Sequence, residues 1–130
     1  MPIVNEHYQI TLNDALNAHE EALRYGGRSG VSNLGMVESA IGRPYSGYHE
    51  TLAQKASALL HSMIGNHGFV DGNKRTSWIL TMVLIDNSGA ELVLKEDDLI
   101  DDLVVDVARG ALGFDDLVPW FEARLVSTDA

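Results

Sequence analysis

The sequence predicts an all-α fold: a single domain over residues 1–130, with about six helices around a central apolar helix. Three observations lead there. Apolar residues recur mainly at helical spacing, and strand-like alternation is scarce. The periodic stretches are punctuated by glycines and prolines. One stretch, WILTMVLI at 78–85, is apolar nearly all round, as a helix buried in a bundle is. A length of 130 residues suits one domain that buries a core without staples.

Thr11-x-x-Asp14 has the form of a capping box, with Asp in place of the preferred Glu, so a first helix begins at Thr11. Leu12, Ala15, Leu16, His19, Ala22 and Leu23 follow at helical spacing. Gly26, Gly27 and Gly30 break the pattern into a loop. Ser32 or Asn33 can cap a short second helix carrying Leu34, Val37, Ala40 and Ile41. Pro44 ends it, because the residue before proline avoids the helical region. After a polar–aromatic connection at 45–50, a long helix starts from about His49. Its face is Leu52, Ala53, Ala56, Leu59, Leu60, Met63 and Ile64, and Gly65-Asn66 stops it.

The apolar central helix follows over about 72–87. Residues 91–94 are short and could be extended. Asp97 or Asp98 then starts a helix with Leu99, Ile100, Leu103, Val104, Val107 and Ala108, ended by Gly110 and Gly113. Asp115 or Asp116 can cap the last helix, which carries Phe121 and Leu125. Pro119 fits there only in the first turn, where its missing N–H does no harm.

Nine Lys and Arg against nineteen Asp and Glu give a net charge of −10. That disfavours nucleic acid and anionic membrane surfaces as partners. There is no cysteine, which excludes a disulfide framework, a thiol nucleophile and cysteine-held zinc or iron–sulfur sites. The opening MPIVNEHYQITLNDAL lacks the basic region and apolar run of a signal peptide. No apolar stretch reaches the ~18 residues of a spanning helix. A cytoplasmic location without membrane attachment is the expectation.

Chemistry concentrates in His67-Gly68-Phe69-Val70-Asp71-Gly72-Asn73-Lys74-Arg75-Thr76. A helix begins at about Gly72, and its first N–H groups, with the positive end of its dipole, form an anion site. Lys74 and Arg75 sit in that first turn, where cations have the wrong sign for the dipole. A bound polyanion removes the conflict. Asp71 beside a phosphate site is what Mg2+ needs, since it takes one or two carboxylates plus phosphate oxygens. His67 stands just before, and a neutral imidazole can accept a hydroxyl proton. Cradle, cations, metal ligand and base together point to phosphoryl or nucleotidyl transfer. A Walker A loop is excluded by the spacing and by the helix, rather than strand, that precedes the loop.

HGFVDGNKRT resembles the core motif of the Fic/Doc family, His-x-Phe-x-[Asp/Glu]-Gly-Asn-[Gly/Lys]-Arg, at every position. Gly26-Gly27, Gly30 and LGMVESAIGRP at 34–44 resemble the N-terminal half of Doc-type members. Two positions distinguish the branches. Fic adenylyltransferases carry Gly where this chain has Lys74, and a second Arg where it has Trp78. Both departures resemble the Doc branch, in which the protein is the toxin of a toxin–antitoxin pair. There it is a kinase that phosphorylates a threonine of elongation factor Tu and stops translation.

The resemblance implies ATP and Mg2+ as cofactors and gives each motif residue a role. His67 is the general base. Asp71 holds Mg2+. Gly72, Asn73, Lys74 and Arg75 hold phosphates, with Lys74 and Arg75 also catalytic, and Phe69 anchors the loop. It implies an antitoxin whose C-terminal segment docks as a helix in a groove. The inhibitory pattern of some Fic proteins, [Ser/Thr]-x-x-x-Glu-[Gly/Asn], has only an incomplete match at Ser46, Glu50 and Thr51, and the chain ends soon after its last helix. Inhibition is therefore expected from another chain. AMP transfer to a protein hydroxyl is the rival enzyme reading. A non-catalytic binding module with this fold is the rival from another class.

Other residues read as structural. His19 on an apolar face is a core histidine. His61 and His67 lack the spacing of a zinc pair. Glu96, Asp97, Asp98, Asp101, Asp102 and Asp106 form a solvated acidic face. GGRSG is a plain turn, Trp78 and Trp120 fit core or groove packing, and Met36, Met63 and Met82 are core.

Overall fold

Three helices start where their own cap residue satisfies the first N–H groups. In α1 (Leu12–Leu23), Thr11 Oγ1 accepts from Asp14 N at 3.1 Å, and the Asp14 carboxylate accepts from Thr11 N at 2.9 Å. For α2 (Leu34–Gly42) the cap is Asn33, whose Oδ1 accepts from Met36 N at 3.1 Å. A 3-10 turn, Arg43–Tyr45, carries Pro44 and ends the helix there. The long helix α3 (Leu52–Asn66) begins later than its apolar register suggests. Thr51 and Gln54 form a capping box, and His49 instead packs its ring on Phe114. The computed structural model describes residues 7–128; residues 1–6, part of the opening searched for a leader, lie outside the described residues, as do 129–130.

The helix α4 (Asn73–Asp86) leads to a strand, β1 (Ala90–Leu92). It pairs antiparallel with β2 (Leu125–Ser127), Glu91 facing Val126. Leu125 thus belongs to a strand rather than to the last helix. The helix α5 (Ile100–Ala108) has Leu99 at its cap position, and neither Asp97 nor Asp98 caps it. Asp98 is held elsewhere by Arg124, through Nε to Oδ2 at 2.6 Å and Nη2 to Oδ1 at 2.8 Å. The last helix, α6 (Phe114–Glu122), follows Gly113, with Asp116 Oδ2 accepting from Gly113 N at 2.9 Å. The helix starts before both expected caps, so Pro119 falls inside it rather than in its first turn. Pro119 is exposed there, and the carbonyl it leaves free belongs to exposed Asp115.

The all-α expectation holds, with six helices and one small two-stranded sheet among the described residues. The central position belongs to α3, not to α4. It packs on α2, the 3-10 turn, α4, α5 and α6. Its buried residues include Ala53, Ala56, Ala58, Ser57 and Ser62 beside Leu59, Leu60, Met63 and Ile64. Small side chains let neighbours close in from several sides, and hydropathy underrates them. In α4, by contrast, Ile79, Met82 and Val83 are only partly buried. Met36 is 44% exposed and is not core.

The Asp98–Arg124 pair ties the start of β2 to the loop before α5. Both side chains are nearly buried, and Arg124 also stacks over Trp120 at 4.2 Å. The Arg124 guanidinium first, and then the Lys95 N–H, hold the Asp98 carboxyl down to about 2. A depressed carboxylate stabilises the fold above its ordinary pKa and loses that contribution as pH falls through its folded one. Wild-type stability should therefore drop between about pH 4 and pH 2. Urea midpoints measured across that window should fall less steeply for Arg124→Gln. Parallel slopes would refute the assignment.

Candidate active site

The loop 67–72 joins the end of α3 to the start of α4, and both its ends need special backbone. His67 is the cap of α3 at φ 49°, ψ 48°, the one non-glycine residue at positive φ among the described residues. Gly72 caps α4 at φ 76°, where glycine carries no Cβ penalty. Between them the loop is fastened to the segment after α1. Val70 N donates to Gly30 O at 3.0 Å, and Ser32 N and Asn33 N both donate to Gly68 O. The Ser32 hydroxyl donates to the carbonyl of His67 or Gly68, each at 3.2 Å. So Ser32, one of two candidate caps, holds the loop, and Asn33 does the capping.

Asn73 closes the loop from inside. Its Oδ1 accepts from Phe69 N at 3.0 Å and its Nδ2 donates to Phe69 O at 2.9 Å. The side chain is thereby committed, which leaves its backbone N–H for a ligand. Phe69 is buried, stacked on His19 with ring centroids 4.0 Å apart. The His19 Nε2 reaches the Asp71 carbonyl at 2.9 Å. His19 is the core histidine the sequence suggested, and it supports the loop.

Asp71 turns its carboxylate outward between two backbone donors, Arg28 N at 3.1 Å and Gly72 N at 2.9 Å. These bonds, Arg28 first, hold its pKa below the usual carboxylate range. Gly27 lies so close that a Cβ there would meet Asp71 Oδ2 at 3.2 Å. GGRSG is thus more than a plain turn: it holds the carboxylate. Arg75 leans over the Tyr25 ring at 5.0 Å and reaches the Ala22 carbonyl at 3.4 Å, so it stands at the C-terminal end of α1. There its charge has the right sign for that helix's dipole. Lys74 is exposed.

Asp71, Gly72, Asn73, Lys74, Arg75 and Trp78 line one side of a groove of about 380 Å³. The other side is α5, through Ile100, Asp101, Val104 and Val105. This apolar wall with one carboxylate was not singled out as part of the site, because nothing in the α5 sequence marks it except a solvated-looking acidic face. His67 does not line the groove; it stands exposed at the other end of the loop. Ser32, Gly27, Arg28 and Tyr25 were also missed as supports, since their roles come from the fold bringing 25–33 against 67–75.

These residues suit a nucleotide phosphate with Mg2+. No side chain caps α4, and its first intrahelical bond is made by Thr76 N to Gly72 O at 2.9 Å. The N–H groups of Asn73, Lys74 and Arg75 thus lie free of the helix ladder. Asp71 is ionised, and Asp101 stands across the groove. No group of three or more His, Cys, Asp or Glu among the described residues could hold a metal by itself. Mg2+ asks for less, one or two carboxylates plus phosphate oxygens.

A compact helical domain whose central helix ends in this loop matches the Fic/DOC family over residues 9–85, and the chain belongs to that family. It is also similar to a protein named Toxin Doc from Mycolicibacterium smegmatis, 34% identical over 93 residues, covering 67% of this chain and 72% of the relative. Family membership brings the general character of a transferase-type enzyme.

Proposed function

We propose that this chain is the toxin of a toxin–antitoxin pair, and that it is a protein kinase moving the γ-phosphate of ATP to a threonine of elongation factor Tu. One observation carries the chemistry: an uncapped helix start at Gly72, flanked by the ionised Asp71 and exposed Lys74, with His67 at the far end of the same loop. The toxin character and the acceptor are carried over from the family resemblance and from the similarity to Toxin Doc.

In this reading the N–H groups at the start of α4 and the Lys74 ammonium hold phosphate oxygens. Arg75, braced on Tyr25, adds charge at the same turn. Asp71 and Asp101 would hold Mg2+, which when bound neutralises charge on the phosphate oxygens. His67 takes the proton of the threonine hydroxyl. The new bond joins the threonine oxygen to the γ-phosphorus, the β–γ bridging bond breaks, and ADP leaves with the electron pair. Lys74 and Trp78 favour phosphoryl over AMP transfer. Trp78 packs edge-on to Trp120 with centroids 6.4 Å apart, so this turn of α4 offers no second guanidinium for the remaining phosphates.

An antitoxin helix would find an apolar face along the same groove, at Ile100, Val104 and exposed Val105. The acceptor, and so the protein, would be cytoplasmic. No helix among the described residues is long and apolar enough to cross a membrane.

Purified protein incubated with elongation factor Tu, ATP and Mg2+ should add one phosphoryl group to the factor, read by intact mass. Its expression without a partner should arrest growth. A gain of AMP would replace the kinase by the nucleotidyltransferase. An unchanged factor together with normal growth at confirmed expression would sink the toxin kinase.

A further inference from the structure

A second groove, of about 440 Å³, runs along α3 between the 3-10 turn and the start of α6. Arg43 enters it from the turn, His49 from the connection before α3, and His61 from α3 itself. From α6 it receives the uncharged Phe114, which packs against the His49 ring at 4.9 Å. No carboxylate among the described residues lines it, in a chain with nineteen acids to nine Lys and Arg. Arg24, Arg109 and Arg124 each pair with a carboxylate. Arg43 makes no such pair among the described residues, and it is exposed toward the groove.

Basic groups brought together without a counter-ion disfavour one another. Burial first, and the Arg43 charge second, push the His49 imidazole below its ordinary range. An anion in the groove relieves that opposition, and a guanidinium can grip a carboxylate with two parallel bonds. The groove also has a telling position. Gly65 and Asn66 line it, and the next residue is His67. The phosphate cradle lies at the opposite end of the loop, so this is a separate place for negative charge.

We propose that this groove takes acidic side chains of the acceptor protein that flank its hydroxyl, setting the hydroxyl's register at His67. The proposal rests on the transferase reading of His67. A chain of net charge −10 repels an acidic partner at long range, and a local cationic groove then supplies docking and register at close range.

The test is binding, which needs no turnover. The imidazole NMR signals of His49 and His61 are followed while a short Asp/Glu-rich peptide containing one threonine is added. Its Asn/Gln counterpart and inorganic phosphate serve as parallel arms. The acidic peptide should shift both imidazoles saturably, and Arg43→Gln should weaken it by about tenfold, the worth of one charge-assisted pair. Because Arg43 is exposed, that variant keeps the fold. His67→Ala should bind the peptide as wild type does, so loss of transfer alone leaves the groove's role standing. Unmoved imidazoles, equal binding of the Asn/Gln peptide, an unaffected Arg43→Gln, or phosphate alone binding as well as the peptide would each overturn the proposal.

Discussion

Replacing His67 by asparagine should cut transfer by about 100- to 10,000-fold, the range for losing a general base, with the fold unchanged. That corresponds to about 3–5 kcal/mol of transition-state stabilisation. Asparagine is the informative replacement because of the backbone. His67 sits at φ 49°, in the left-handed region that histidine and asparagine tolerate better than most residues. Asparagine can keep that conformation and has no group that takes a proton at neutral pH. Alanine removes the base as well, but is less at home there, so His67→Ala should lose the same activity and also some stability. Glycine should lose the activity and keep the cap, since it carries no Cβ penalty. Activity from single-turnover labelling, set against urea midpoints, separates the effects. Near-wild-type turnover in the asparagine variant, at unchanged stability, would remove His67 from the chemistry.

The same residue shows what was legible in the sequence. Its place at the boundary between two helices could be read from the apolar registers on either side, and from Gly65-Asn66. The family motif proposes it as the base. Its left-handed backbone could not be read, because that depends on Ser32 holding the loop from across the fold. Helix α1 was legible to the residue, because Thr11 and Asp14 cap through local bonds. The start of α5 was not. Asp97 and Asp98 looked like caps, but a buried guanidinium twenty-six residues away took Asp98. Pro119 was placed a turn too early in its helix because Gly113, with no side chain to announce a cap, starts α6 with help from Asp116. Local chemistry was readable at Thr11 and Asp14, but the equally local boxes Thr51–Gln54 and Gly113–Asp116 were hidden behind the apolar register and a glycine. Where the partner came from another element, as with Arg28 on Asp71 or Tyr25 under Arg75, the residues gave no sign.

Gly68→Ala should be the most damaging single-methyl change in the site. A Cβ at Gly68 would lie 2.4 Å from Val37 Cγ2 and 3.1 Å from Val37 N. Neither atom yields easily. Val37 is buried on α2, its branched side chain is stiff at χ1, and the second atom is backbone. The loop must therefore lift from α2, straining the bonds from Ser32 N and Asn33 N to the Gly68 carbonyl. Overpacking of this kind costs about 1–3 kcal/mol. Because His67 is the adjacent residue, the displacement also reaches the base, and a shift near 1 Å can cost about 100-fold in rate. Val37→Ala removes the methyl group at 2.4 Å but not the backbone contact. In the Gly68→Ala background it should therefore restore part of the stability, whereas alone it should destabilise by leaving a cavity. A double-mutant cycle on urea unfolding should then show a coupling of about 0.5–3 kcal/mol. Strictly additive effects would mean that the loop does not press on α2 at Gly68. The seating of His67 would then have to come from Ser32 and Asn73 alone.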